Sequence, residues 1–196
     1  MQAGPRLKWS VVKPALGSKV SYELKVLDHE PGRFVFTAWR NVSFFFWTAS
    51  ATPGAVVRLA QCTEPLYEEY PRGVSNVHVV ESDVGLPSPE VRELLLGLMR
   101  RRADRRACLG VVPAGSGFWA STLRSFVTGM RLVSPRSFEI GVHTSLSQVA
   151  DWLPDVHQAK TGVQLDPRML LEMLVRTETL SRQSAARVES AGSAAR

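Results

Sequence analysis

Cysteine, histidine and lysine are scarce in this chain, with two, four and five residues among 196. Cys62 and Cys108 lie far apart, with neither the spacing of a zinc site nor that of a redox pair. Both fall in stretches that read as regular structure, where a free thiol behaves as a small hydrophobe. A reducing, cytoplasmic setting is the expectation. His29, His78, His143 and His157 are dispersed, so no metal site and no cofactor are expected. Long apolar runs are missing too: the most apolar window, 34–51, is broken by Arg40 and Asn41 and is too short on either side to cross a bilayer. The first nineteen residues mix Arg6, Lys8, Lys13 and Lys19 with two prolines and show no apolar export segment.

What is abundant is arginine, at 19 residues, and the net charge is +6. Such a balance permits phosphate-rich partners without requiring them. A nucleic-acid module would need a basic stripe interleaved with aromatics. None is visible, so nucleic acid is not the expected partner. The hydrophobic share of 44% is ordinary for a globular chain that buries a core without staples.

Along the chain, residues 1–19 read as a flexible arm, 20–158 as one α/β domain, 159–180 as a helical extension and 181–196 as a disordered Ala/Ser/Arg-rich tail. Val20, Tyr22, Leu24 and Val26 alternate with polar residues, the mark of a strand. Pro31-Gly32 turns the chain, and the runs 33–39 and 42–48, separated by Arg40-Asn41, read as a hairpin. Then the grammar changes. Thr52-Pro53 and Ser88-Pro89 each place a cap before a proline at the first helical position. Strands are expected at 74–80, 107–112 and 138–142. Helices are expected after Thr52 and Ser88, over 117–131, after Ser145 or Ser147, and after Asp166-Pro167. Alternating helix and strand predict an α/β fold: a mixed sheet with an antiparallel N-terminal hairpin, then parallel strands, with helices on both faces.

The string Ala107-Cys108-Leu109-Gly110-Val111-Val112 is followed by a Trp-bearing helix, by Phe138-Glu139-Ile140 and by Ala150-Asp151-Trp152-Leu153. In this organisation residues 33–155 resemble the SpoIIAA-like branch of the bacterial STAS superfamily, which shares its architecture with CRAL-TRIO lipid-transfer domains. The resemblance implies a non-enzymatic module acting through a protein partner or self-association, or a small-molecule or lipid-binding domain. Phosphoswitch members carry an Asp-Ser-Ser-Gly loop. Here the loop reads Glu81-Ser82-Asp83-Val84-Gly85-Leu86-Pro87-Ser88, so that motif is absent, and Ser82 and Ser88 are the phosphorylation candidates by position.

In open α/β sheets ligands sit beyond the carboxyl ends of the parallel strands. That edge collects Asp83, the Gly115-Ser116-Gly117 turn and His143. The glycine turn precedes a helix, where free N–H groups favour an anion, or it is simply a strand-helix turn. Ser116, His143 and Asp83 offer a nucleophile, base and acid in type, yet no Gly-x-Ser-x-Gly elbow frames them and no catalytic residue is assigned. Arg100, Arg101, Arg102, Arg105 and Arg106 form the densest basic cluster. It reads as a patch for an acidic partner, a phospholipid headgroup or nucleic acid, or as a solvated helix C-terminus.

Overall fold

A computed structural model describes residues 23–82, 84–115, 117–133 and 138–194. The expected arm at 1–19, the start of the strand expected from Val20, and both Asp83 and Ser116 lie outside the described residues. The elements run β1 (Lys25–Glu30), β2 (Phe34–Trp39), β3 (Val42–Trp47), α1 (Pro53–Glu69), β4 (Val74–Val80), α2 (Pro89–Arg101), β5 (Arg106–Pro113), α3 (Phe118–Val133), β6 (Glu139–Val142), α4 (Leu146–Thr161) and α5 (Pro167–Ala194).

The fold is the α/β arrangement that the sequence patterns predict. Among the described residues six strands form one sheet in chain order, antiparallel from β1 to β3 and parallel from β3 to β6. Arg40 and Asn41 close the β2–β3 hairpin, and Arg40 takes a φ of 53°, the left-handed conformation that tight two-residue hairpin turns require. Asn41 then donates to the Gly73 carbonyl at 3.1 Å and ties this turn to the start of β4. The first strand lies later than the alternation from Val20 predicts. Pairing of Glu30 with Phe34 across the Pro31-Gly32 turn makes the segment just before that turn the partner of β2.

Caps sit where expected. Thr52, Ser88 and Ser145 accept from the backbone N–H groups of Ala55, Val91 and Gln148 at 3.2–3.3 Å. Asp166 accepts from Arg168 N–H at 2.8 Å at the start of α5. That helix continues to Ala194 through the stretch whose composition reads as a disordered tail, and Ser181 and Ser184 on it are buried. Alanine is the strongest helix former, so an Ala/Ser/Arg-rich segment extends a helix that packing has already started.

The connections β3–β4, β4–β5 and β5–β6 place α1, α2 and α3 on one face of the sheet. The chain then returns beneath the other face, where α4 packs on β5 and β6 and α5 on β2 and β3. The α4–α5 face is dense. Leu153, Leu170, Met173 and Leu174 are wholly buried there against Phe44, Phe46 and Val77. Gly110 permits this packing, since a Cβ on it would lie 2.7 Å from Val149 Cγ2.

Candidate ligand cavity

The α1–α3 face is covered less closely. In α2 only Val91 and Met99 are fully buried, while Leu95, Leu96 and Leu98 are half-exposed. Between the sheet and the three helices lies a cavity of about 130 Å³. Its floor includes Phe45, Trp47, His78, Val111 and Ile140, and its roof Leu59, Leu98, Trp119, Leu123 and Phe126. The walls are overwhelmingly apolar. An apolar space close to this size holds about one benzene ring.

A few polar groups face it. On β4, Asn76 and His78 occupy alternate positions and therefore one side of the sheet. Trp47 donates its indole N–H to His78 Nδ1 at 3.2 Å, and the Phe45 ring lies 4.6 Å from the imidazole. Because an indole nitrogen only donates, Nδ1 is an acceptor, and the neutral ring carries its proton on Nε2. Burial, helped by the positive charge of Arg106, pushes the His78 pKa down to about 3. His78 is part-exposed and lines the cavity.

Arg106 closes the end formed by Tyr67, Asn76 and Met99. It is 8% exposed. Its Nε donates to Asn76 Oδ1 at 2.8 Å, one Nη donates to the Met99 carbonyl at 3.3 Å, and the guanidinium carbon stands 5.0 Å from the centre of the Phe138 ring. Asn76 Oδ1 also accepts from Tyr67 Oη at 3.0 Å, and its amide donates to Ser43. No carboxylate among the described residues pairs with Arg106. The Trp119 indole N–H, also on the cavity wall, is buried with no partner among the described residues.

The cluster at 100–106 therefore does not form one basic surface. Arg100 and Arg101 are exposed, Arg102 pairs with Glu64, Arg105 reaches the Tyr67 carbonyl, and Arg106 belongs to the interior. Around the carboxyl edge of the strands, a Cβ on Gly115 would meet Ser82 at 3.3 Å, so those two loops touch. Gly117 is exposed, and Ser88 spends its hydroxyl on the α2 cap. His143 lies on the other side of the sheet, its ring 4.6 Å from that of Trp152 on α4. Burial lowers its pKa, and Nε2 is left without a partner among the described residues. The structure thus brings Ser82 and Gly115 together and sets His143 apart from the cavity.

Asn76 and His78 escaped the sequence reading as site residues. Their signal was present: two polar side chains at alternate positions of an otherwise apolar strand. Under α4 there is a second polar group, in which Ser75 Oγ lies 2.7 Å from His157 Nδ1 and 3.1 Å from Cys108 Sγ. His157 is wholly buried and its pKa falls to about 4, while the Cys108 thiol is pushed up to about 12. A serine and histidine sealed in this way have no access to substrate. Among the described residues no set of three or more His, Cys, Asp or Glu could hold a metal, and no helix is long and apolar enough to cross a membrane. No family model and no curated protein matches the chain.

Proposed function

We propose that this domain is a non-catalytic binding module whose ligand is a small, largely apolar molecule held between the sheet and α1–α3. The observation that carries this reading is the cavity: an apolar space of about 130 Å³ whose walls bear a few inward polar groups. Pockets of this make-up, apolar with a few orienting polar groups, are the usual form of a small-molecule site. The volume favours a single ring or a short branched chain over a long-chain lipid. The STAS-like resemblance adds a role: a cytoplasmic sensor that passes its ligand state to a protein partner.

The test is native mass spectrometry of the protein purified gently from its own host. A retained mass that disappears on denaturation, and that is lost when Leu123→Trp fills the space, supports the reading. A bare chain that gains no thermal stability from any of a panel of single-ring compounds contradicts it.

A second reading, a protein partner or self-association, rests on Phe118. It is 88% exposed at the start of α3, one residue before the cavity-lining Trp119. Light scattering of wild type and Phe118→Ser tests it: a dimer that becomes monomeric supports the reading, and a monomer throughout removes self-association.

A further inference from the structure

Given that the cavity is a ligand site, we propose that its ligand is a small monocarboxylate and that Arg106 receives the carboxylate. The guanidinium has five N–H donors, and the described residues occupy two of them, both with neutral oxygens. A buried charge is stable only when it is paired or richly hydrogen-bonded, and here two neutral carbonyl-type oxygens and one aromatic face stand in for an acid. Among the described residues the rest of the wall supplies none. Asn76 and Tyr67 are neutral, and His78, the other ionisable group on the floor, is held uncharged by its bond from Trp47. The interior therefore presents one cation with spare donors at one end of an apolar space.

A planar carboxylate meets a guanidinium with two parallel N–H···O bonds at about 2.7–2.9 Å. One positive charge matches one negative charge. A phosphate monoester, close to a dianion at neutral pH, would bring surplus charge into an apolar site. Head group and tail share that space, so the whole ligand is about the size of one ring, lying along the floor past His78 towards Trp119. A branched short-chain acid fits this description, and benzoate marks its upper size limit.

Calorimetry on the full chain tests the inference with isovalerate and benzoate, each against the alcohol of the same shape, 3-methylbutanol and benzyl alcohol. The acids are expected to bind at least tenfold more tightly than the alcohols. Arg106→Gln should bring that ratio close to one while the alcohols still bind. Asn76→Asp is the second variant, because it places an acid against the same guanidinium without removing it. It should likewise abolish the preference for acids and spare the alcohols. Alcohols binding as tightly as acids in the wild type, or a ratio that survives both substitutions, overturns the carboxylate assignment and leaves the cavity reading standing. If neither acids nor alcohols bind the wild type, both fall.

Discussion

Trp47 and His78 are joined side chain to side chain across β3 and β4, the indole N–H donating to Nδ1 at 3.2 Å. The bond needs a neutral imidazole, as does its burial. The pKa of His78 is about 3 in the folded protein against an ordinary 6.5, and that of wholly buried His157 is about 4. Between those values and 6.5 the unfolded chain binds more protons than the folded one, so stability rises with pH and is lost as pH falls through that window. Burial also lowers the His143 pKa, which adds to the same slope. The expected outcome is a fall in the unfolding free energy from urea titrations between pH 7 and pH 4.5, of order 2 kcal/mol for each of the two deeper histidines. His78→Gln and His157→Gln should each flatten the slope. At pH 7, ¹⁵N shifts of the His78 ring should report the tautomer protonated on Nε2. A ring protonated on both nitrogens at pH 6 would contradict the assignment.

Filling the cavity should stabilise the protein. Val111 lies opposite His78 in the β4–β5 register and lines the floor. Val111→Leu adds one methylene facing that space, a gain of about 0.8 kcal/mol. For a chain of this length that corresponds to a rise of about 2–3 °C in Tm. The same substitution should weaken any ring-sized ligand. A fall in Tm would mean that the wall around Val111 is already closely packed.

Two glycines set how closely α4 approaches the sheet. A Cβ on Gly110 would lie 2.7 Å from Val149 Cγ2, and one on Gly141 would lie 2.5 Å from His143 Nε2 and 2.9 Å from Trp152. Gly110→Ala should destabilise by about 1–3 kcal/mol through overpacking. Removing the opposing methyl groups with Val149→Ala should recover part of that loss in the double variant, so chemical denaturation of the four-member cycle should show favourable coupling. Simple additivity would show that the contact does not govern the approach.

Those glycines also mark how far the sequence could be read. Helix starts were legible because a cap is local: Thr52, Ser88 and Asp166 each precede a proline and satisfy N–H groups two or three residues on. The position of β1 was not, because register depends on the partner strand. Arg106 was grouped with the arginines before it, since nothing local shows where the exposed helix end stops and the buried strand begins. The cavity was the least legible feature. It depends on how closely the helices of that face pack on the sheet, a tertiary property that no local pattern encodes.

The same limit applies to α5, which the family-like pattern over 33–155 leaves out. Composition treats it as an extension, yet Leu170, Met173 and Leu174 are wholly buried against the sheet, and Thr177 Oγ1 lies 2.8 Å from Thr37 Oγ1 on β2. Deleting residues 167–196 would strip the cover from Phe44 and Phe46, which lie in the same core cluster. The shortened chain is therefore expected to lose its cooperative thermal transition and to bind hydrophobic dyes. Leu174→Ala in the full chain should cost about 2–5 kcal/mol while leaving the transition cooperative. Thr177→Val, which leaves the buried Thr37 hydroxyl without this partner, should cost about 1–3 kcal/mol. If the truncated chain instead melts like the full one, α5 is an appendage and the core of the domain ends with α4.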